Sequence, residues 1–342
     1  MLKPEFSVVI PVRNGEQFIA AALESVLNQT YQRFNIIVLE NCSQDRTLEI
    51  IRSYAEPRIT IYPAEEPLSI EENWERILHL DLLEYLTILG HDDLLYPDFL
   101  QEIVHLIEAE PEAAFYHTHF DFINAANDVI RKSFATPGQE SSEAFIRRLH
   151  TFKEECSGSG WVVRSTDYKR VGGFPLFYRL LFSDMFFYFT VTRLSYKVCS
   201  PRYLSAFRMH EQSSTKDSSL LDFYNAGKDY LNALAPFQSG EDQQLAKSFV
   251  MTLIQWSYRR FLNALTKAHP PRNLKEIAKV KHEAAVHHLA INTFSLQWYE
   301  FLARLPWRLP RMMLFRLTNV IAIARKKMSI HLQTNIAGAK NP

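Results

Sequence analysis

The first 110 residues alternate between two kinds of hydrophobic pattern. Short, continuous apolar runs such as FSVVIPV (6–12) and FNIIVLE (34–40) are typical of strands that are buried on both faces. Between them, the stretch EQFIAAALESVLNQ repeats apolar residues at helical spacing. Strands that alternate with helices pair in parallel, so the pattern predicts an α/β fold with a mostly parallel, doubly wound sheet.

The same patterns continue to residue 110. We predict two further strands, over RITIYP and YLTIL, and three further helices, over SQDRTLEIIRSYA, SIEENWERILHLD and PDFLQEIVHLIEAE. Ser43 is expected to cap the first of these helices, and Pro97 to lie in the first turn of the last.

Composition excludes several classes of protein. The formal net charge is zero, so no overall field attracts nucleic acid, and we expect no nucleic-acid partner. Three cysteines, at Cys42, Cys156 and Cys199, fit neither a disulfide framework nor a zinc cluster. The first residues predict a strand rather than a signal peptide, and no apolar stretch approaches the roughly 20 residues that span a bilayer. A cytoplasmic protein is expected.

The rest of the chain divides near Asp217. From residue 118 to 217 the periodicity is less regular, but LLFSDMFFYFTVTRL predicts a buried helix that carries one acid, Asp184. From Leu220 onward the sequence is amphipathic and helical. We therefore predict one domain over 1–217 and a helical extension over 218–342.

Polar side chains follow three of the predicted strands. Carboxyl ends of parallel strands meet at one edge of the sheet, where ligands bind, so we expect these side chains to converge. Carboxylates also favour helix N-termini, but Asp98 in the first turn of the next helix can fill that role; a purely structural role for Asp92 and Asp93 is the alternative. The three groups are Pro11, Arg13 and Asn14; Glu40 and Asn41; and His91, Asp92 and Asp93.

The order of motifs resembles that of family 2 glycosyltransferases, which are inverting enzymes with the GT-A fold. The matching pieces span roughly the first 215 residues. They are SVVIPVRN, ALESVLNQTYQRFNIIVLENCSQDRT, NWERIL, LTILGHDDLLYPDFL, VGGF, FSDMFFYF and FRMHEQSS. The resemblance implies a GT-A catalytic domain over 1–217, with a nucleotide-sugar half (1–117) and an acceptor half (118–217). It further implies transfer of a sugar from a nucleotide-diphosphate donor to a saccharide or lipid-linked hydroxyl.

The resemblance assigns the first two strand ends to the donor nucleotide. Pro11, Arg13 and Asn14 would flank the base, and the Arg13 guanidinium can stack where many relatives carry an aromatic ring. The family's two-acid pattern is here Glu40–Asn41, and the Asn41 amide oxygen can accept a hydrogen bond from a uracil or thymine N–H. UDP or dTDP donors are therefore expected rather than GDP. A turn-stabilising role for Asn41 is the alternative.

His91–Asp92–Asp93 resembles the family's DxD motif. The resemblance implies that Asp93 binds Mn²⁺ or Mg²⁺ directly and that Asp92 contacts ribose or metal-bound water. His91 either ligates the metal or only lines the loop. Arg208 and His210 resemble the family's trailing R-x-H motif near the diphosphate, where His210 is a further metal or phosphate ligand or a structural histidine.

Asp184 resembles the family's catalytic base, which takes the proton of the acceptor hydroxyl. Its apolar neighbours would partly desolvate the carboxylate and raise its basicity. The alternative is a helix-surface or N-cap acid. Trp161 is expected either to stack on a sugar in the acceptor cleft or to lie in the core.

The last part of the chain lies outside the resemblance. Residues 298–327 mix large apolar side chains with basic ones, which indicates an interfacial membrane helix. The chain would then sit peripherally on the inner face of the cytoplasmic membrane. A helical subdomain or a dimer face is the alternative.

Three other functions compete. A nucleotidyltransferase would need a Gly-rich basic loop after the first strand, where PVRNGEQF has one glycine and one arginine. A dehydrogenase would need G-x-G-x-x-G there, which is absent. An inactive sugar-nucleotide or membrane-binding module stays open, because Arg13, Glu40–Asn41 and His91 depart from the family pattern.

Overall fold

The computed structural model describes residues 3–210, 215 and 218–267. The predicted alternation of strands and helices is present over the first 110 residues. The elements are β1 (Phe6–Val12), α1 (Ile19–Leu27), β2 (Phe34–Glu40), α2 (Thr47–Ser53), β3 (Ile59–Pro63), α3 (Ile70–Glu75), a 3₁₀ turn (Arg76–His79), β4 (Tyr85–Ile88), β5 (Leu94–Leu95) and α4 (Phe99–Ala109).

The following residues add a second set of strands and the helices that cover them. These elements are β6 (Phe115–Ile123), β7 (Val129–Lys132), β8 (Gln139–Glu140), α5 (Ser142–His150), β9 (Trp161–Arg164), α6 (Ser165–Arg170), a 3₁₀ turn (Tyr178–Leu180), α7 (Ser183–Thr192) and β10 (Lys197–Arg208). Two longer helices follow: α8 (Leu220–Leu234) and, after a 3₁₀ turn (Ala235–Phe237), α9 (Gly240–Lys267).

The strands form one mixed sheet in the order β3-β2-β1-β4-β9-β6-β10-β5, with β7 beside β6 and β8 beside β10. Six of them, β3, β2, β1, β4, β6 and β10, run in the same direction, and β9 lies antiparallel between β4 and β6. The predicted α/β class with a mostly parallel sheet is confirmed.

The strand order positions the site. From β1 the chain first adds β2 and β3 on one side, and then crosses to place β4 on the other side of β1. At such a reversal the connecting loops diverge and leave a crevice at the carboxyl ends of the two central strands. That crevice lies between the ends of β1 and β4.

The core explains the continuous apolar runs. Val8 and Ile10 of β1 are completely buried, as are Ile19, Leu23 and Val26 of α1, which packs against the sheet. Burial of each such side chain contributes about 1.5–3 kcal/mol relative to exposure. Because both faces of β1 and β4 are buried, their sequences are nearly continuous apolar runs and do not alternate with polar residues.

Two helix starts differ from the prediction. Helix α2 begins at Thr47, after Arg46, and not at Ser43. The Ser43 hydroxyl instead accepts a hydrogen bond from the Asn14 N–H at 3.0 Å. Pro97 precedes the N-cap of α4, and that N-cap, Asp98, makes no capping hydrogen bond with its side chain.

Helices α8 and α9 pack against the preceding part of the chain. The Tyr230 ring of α8 stacks on Phe182 at 5.4 Å, and its hydroxyl lies 2.9 Å from Nε2 of His150. The compact unit accordingly runs from Met1 to Pro270, past the boundary expected at residue 217. Residues 298–327 lie outside the described residues. No helix in the described part is long and apolar enough to cross a bilayer.

Gly227 tests the packing of α8 on α9. A Cβ at this position would lie 2.6 Å from Cγ1 of Val250, closer than any real contact. We expect Gly227→Ala to lower the free energy of unfolding by about 1–3 kcal/mol, because Val250 is buried and can move away from the new methyl group only by displacing its neighbours. Urea denaturation measures the change, with Lys228→Ala as the control. Without the clash, the better helix propensity of alanine would raise stability by about 1 kcal/mol, and that outcome would contradict the packing.

Candidate active site

A cleft of about 840 Å³ lies at the carboxyl ends of β1, β2 and β4. It continues between the start of α7 and the helices α8 and α9, which contribute Phe223 and Leu253. The structure brings nine of the twelve predicted site residues to this cleft: Pro11, Arg13, Asn14, Asn41, His91, Asp92, Asp93, Asp184 and His210.

The loops after β1 and β2 hold each other in place. The Asn14 N–H donates to Ser43 Oγ at 3.0 Å, and the Gln44 N–H donates back to Asn14 Oδ1 at 2.8 Å. The Gly15 N–H donates to Thr47 Oγ1 at 2.8 Å. Asn14 has φ of 52°, a left-handed conformation that asparagine adopts more readily than most residues. These bonds fix one wall of the cleft.

Asn41 and Arg13 both contact the main chain of Leu68. The Leu68 N–H donates to Asn41 Oδ1 at 2.8 Å, and Asn41 Nδ2 donates to the Leu68 carbonyl at 3.0 Å. Arg13 Nη1 donates to the same carbonyl at 3.2 Å. The Asn41 amide oxygen that was expected to bind a base thus already accepts a hydrogen bond within the protein.

Asp92 and His210 form a polar pair at the edge of the cleft. Asp92 Oδ2 lies 2.8 Å from His210 Nε2. Burial alone would raise the pKa of Asp92, but the hydrogen bond from His210 and the nearby imidazoles of His91 and His210 lower it below its ordinary value. Asp92 therefore stays ionised.

Asp93 has a different environment. Its Oδ2 accepts from Ser159 Oγ at 2.6 Å and its Oδ1 from the Arg208 N–H at 2.8 Å. Ser159 Oγ in turn accepts from the Gly90 N–H at 2.8 Å. Burial and the adjacent charge of Asp92 raise the pKa of Asp93 well above its ordinary value. Each Asp93 oxygen thus already accepts one hydrogen bond from the protein, and direct metal binding by Asp93 stays a prediction. Asp92, whose carboxylate lies beside His210 in the cleft, is the alternative ligand.

The donor set fits a divalent metal only together with a ligand. Asp92 offers a carboxylate and His210 an imidazole, and His91 lines the same cleft. No group of three or more histidine, cysteine, aspartate or glutamate side chains that could hold a metal occurs among residues 3–210, 215 and 218–267. Mg²⁺ in proteins is commonly held by one or two side chains plus substrate phosphates and water, so two protein ligands suffice when a diphosphate is bound.

Arg208 supports the turn that carries the acids. Its side chain is 1% exposed, and its Nε donates to the Asp92 carbonyl at 2.6 Å. Nη1 donates to the Asn124 carbonyl at 2.8 Å, and the guanidinium lies 4.7 Å from the centre of the Phe18 ring. Arg208 does not line the cleft, and its contact with a diphosphate stays a prediction.

Glu40 and Trp161 are also internal. The Glu40 carboxylate accepts from the Ser43 N–H at 2.6 Å and shapes the turn after β2. Trp161 is completely buried, its ring packs 4.7 Å from that of Phe187, and its N–H donates to the Gly158 carbonyl. Neither side chain lines the cleft, so Trp161 is a core residue and not an acceptor platform.

Asp184 lies in the first turn of α7 and borders the cleft. Burial raises the pKa of its carboxyl to about 6, although Oδ1 accepts the Met185 N–H at 2.8 Å. Its charge also contributes to a raised pKa of the neighbouring Cys156 thiol. A carboxylate with a pKa near 6 is ionised at neutral pH and still basic enough to take a proton.

The chain is strained just before Asp184. Arg179, Leu180 and Phe182 have φ of 54°, 56° and 64°, in the left-handed region that non-glycine residues rarely adopt. Such a residue costs about 1–3 kcal/mol and persists only where surrounding contacts impose it. Here Glu71 accepts from the Arg179 N–H, and the Arg179 guanidinium lies 3.3 Å from Asp222 of α8. Sequence patterns gave no signal for this segment or for Ser159.

The mixed sheet and its cleft are similar to those of GT-A glycosyltransferase structures, and comparisons with known proteins agree. A family model described as Glycosyl transferase family 2 matches residues 7–171. The glycosyltransferase RT0329 of Rickettsia typhi is 24% identical over 266 residues, which cover 76% of this chain and 78% of that protein. Residues 7–171 are therefore similar in sequence to glycosyl transferase family 2.

Other curated relatives match over shorter stretches. For three of them, this chain spans 14%, 32% and 37% of their length. Among solved structures, Staphylococcus aureus TarS 1–349 in complex with UDP-GlcNAc has a TM-score of 0.59 at 16% identity, covering 79% of this chain and 77% of that one. The mannosyltransferase PcManGT of Pyrobaculum calidifontis, in complex with GDP-Man and Mn²⁺, has a TM-score of 0.52 at 16% identity, covering 87% and 85%. At these identities the likeness establishes the fold.

The raised pKa of Asp184 predicts a stability change. The native state binds more protons than the unfolded state between about pH 4 and pH 6, so stability falls as pH rises through this range, and the loss is complete above pH 6. Asp184→Asn cannot ionise, and the carboxyl is partly open to the cleft. We therefore expect the variant to be about 1–2 kcal/mol more stable than the wild type at pH 8 and equally stable at pH 3.5.

Urea denaturation at the two pH values measures this difference. Asp81→Asn, at an exposed position, is the matched control and should behave alike at both. An equal change for Asp184→Asn at pH 8 and pH 3.5 would show that the carboxyl is not titrating in the folded protein.

Proposed function

We propose that the protein is an inverting glycosyltransferase that moves a sugar from a nucleotide-diphosphate donor to an acceptor hydroxyl. One observation carries the proposal: a single cleft holds the ionised Asp92 with its partner His210 at the carboxyl ends of the strands and, separately, the desolvated Asp184 at the start of α7. Such a site can bind the leaving diphosphate at one point and accept a proton at another.

The donor is proposed to be a UDP- or dTDP-sugar. The support is the likeness to TarS, a structure of which holds UDP-GlcNAc, and the position of Pro11, Arg13 and Asn14 along the cleft. PcManGT, which holds GDP-Man, has the same fold, so GDP is the competing nucleotide.

At the donor end, Asp92 and His210 would hold Mn²⁺ or Mg²⁺, which supplies Lewis-acid stabilisation of the leaving diphosphate. The protein keeps these two side chains in position. Arg208 fixes the Asp92 main chain, and the hydrogen bonds of Asp93 to Ser159 and Arg208 hold the turn against the neighbouring strands.

At the acceptor end, Asp184 acts as the general base. Its carboxylate takes the hydroxyl proton while the acceptor oxygen forms its bond to the anomeric carbon, and the bond from that carbon to the diphosphate oxygen breaks on the opposite face. The configuration at the anomeric carbon is thereby inverted. Leu181 and Phe182, which line the cleft beside Asp184, exclude water from the carboxylate.

The acceptor is proposed to be a saccharide or a lipid-linked glycan. Phe223 and Leu253 extend the apolar lining beyond Asp184. Such a lining suits the apolar C–H faces of sugars and the start of a lipid chain. A cytoplasmic enzyme that associates peripherally with the membrane through residues 298–327 would reach a lipid-linked acceptor. Flotation of liposomes with the full chain, against a chain ended after Phe294, tests this association.

Nucleotide binding is the first test. We expect UDP or dTDP to bind the wild type more tightly with Mn²⁺ than without it, as measured by calorimetry. Asp92→Ala and His210→Ala should each raise the Kd of the nucleotide in the presence of Mn²⁺ at least tenfold, because each deletes one of the two protein ligands. Asp81→Asn is the control and should bind like the wild type.

Two outcomes would change the conclusion. If the Kd of the nucleotide is the same with and without Mn²⁺ and is unchanged in Asp92→Ala, the site is not a metal-assisted donor site. Binding without turnover of any nucleotide sugar, with no effect of Asp184→Asn on any reaction, would identify an inactive sugar-nucleotide-binding module.

The pH dependence of transfer follows from Asp184. A general base must be unprotonated, so kcat/KM should rise with pH through about 6 and then level off. Asp184→Asn should lower kcat by about 10²- to 10⁴-fold while the Kd of UDP stays unchanged, because the side chain does not contact the nucleotide. If kcat/KM of the wild type does not rise with pH in this range, Asp184 is not the general base.

A further inference from the structure

The segment 64–69 between β3 and α3, here named the base-side segment, forms one side of the cleft. Leu68 and Ser69 line the cleft, as does Arg13 at the end of β1. The middle of the segment, Glu65 to Pro67, is exposed to solvent. No buried side chain therefore anchors this middle part, and its position depends on hydrogen bonds at its two ends.

The N-terminal end of the segment is held by hydrogen bonds at Ala64. Its N–H donates to the Glu40 carbonyl at 2.7 Å, and the Cys42 thiol lies 3.3 Å from the Ala64 carbonyl. This end continues the pairing of β2 with β3, in which Glu40 stands opposite Pro63. The sheet itself therefore holds this end.

The C-terminal end of the segment is held at Leu68 by hydrogen bonds from the side chains of Asn41 and Arg13. Asn41 presents one acceptor and one donor to the N–H and carbonyl of Leu68, in the way that a neighbouring strand would. Arg13 adds a third hydrogen bond, to the same carbonyl. Two residues from two strand ends thus converge on the main chain of one residue.

We propose that Asn41 and Arg13 are positioning residues that hold Leu68 as a wall for the nucleotide base and do not read the hydrogen-bonding groups of the base. This inference rests on the proposed nucleotide-sugar function. If Asn41 instead read a uracil or thymine N–H, that N–H would have to bind the second lone pair of Oδ1, beside the Leu68 N–H that already binds the first.

The two roles predict different patterns of affinity. A residue that holds the wall affects every nucleotide by a similar factor, because each base packs against the same surface. A residue that reads an imide N–H affects UDP and dTDP, which carry one, more than a nucleotide with another pattern of donors. The ratio of Kd values between nucleotides therefore separates positioning from reading.

The experiment titrates UDP, dTDP and GDP into the wild type, Asn41→Leu and Asn41→Asp at a fixed Mn²⁺ concentration. We expect Asn41→Leu to weaken every nucleotide that binds the wild type by about 5- to 30-fold, the worth of two ordinary hydrogen bonds, with unchanged ratios between them. Asn41→Asp keeps an acceptor for the Leu68 N–H, so it should regain part of the affinity, again at unchanged ratios. Asn35→Leu, at the other end of β2, is the matched control and should leave all Kd values unchanged.

Hydrogen exchange provides the second readout. The Leu68 amide should exchange faster in Asn41→Leu than in the wild type, while the amides of β1 keep their protection. Arg13→Met should have a smaller effect in the same direction, because the Asn41 pair remains. A general loss of protection would indicate misfolding, and then Arg13→Met alone decides by its Kd ratios.

Failure of the inference differs from failure of the proposed function. If the wild type binds none of the three nucleotides, the proposed function fails and takes this inference with it. If the wild type binds them, a selective loss of UDP and dTDP affinity in Asn41→Leu, or unchanged exchange at Leu68, overturns only the positioning role. A larger ratio of the GDP Kd to the UDP Kd in Asn41→Asp than in the wild type would also overturn the positioning role.

Discussion

The carboxyl groups of Asp92 and Asp93 lie side by side in one buried turn, where two negative charges would repel each other. The arrangement of the site depends on the different partners that the fold gives to each of them. Asp92 is held in its charged form by His210, whereas Asp93 is buried, receives two hydrogen bonds and has a raised pKa. One charge at this point is compatible with a low-dielectric surrounding, and two are not. The partners of Asp93, Ser159 and Arg208, are therefore as much part of the site as the residues that line the cleft.

The sheet and its site-bearing edge could be predicted from sequence because they depend on local pattern. Continuous apolar runs located β1, β2 and β4, and the rule that parallel strands end at one edge brought Asn14, Asn41 and Asp92 into one cleft. The choice between Asp92 and Asp93 could not be made in this way. It depends on Ser159 and Arg208, which are distant in sequence and carry no local signal.

Other differences have the same origin. Arg208 belongs to a motif that suggests ligand contact, and Trp161 was expected either in the acceptor cleft or in the core. The burial of both is decided by neighbours such as Phe18 and Phe187. Ser43 has the chemistry of a helix cap and is instead bonded to the loop after β1. The strained residues before Asp184 could not be predicted at all, because their backbone conformation is imposed by contacts with α3 and α8.

The hydrogen bonds of Asp93 also bear on how the protein folds. They join residues that are 66 and 115 positions apart in the chain. Contacts of such high contact order form late, since the intervening chain must first lose its freedom. During synthesis, strands β1 to β4 can pair before β10 has emerged, yet the turn that holds Asp92 cannot take its final form until β10 has added Arg208. Completion of the donor site is thus coupled to completion of the sheet.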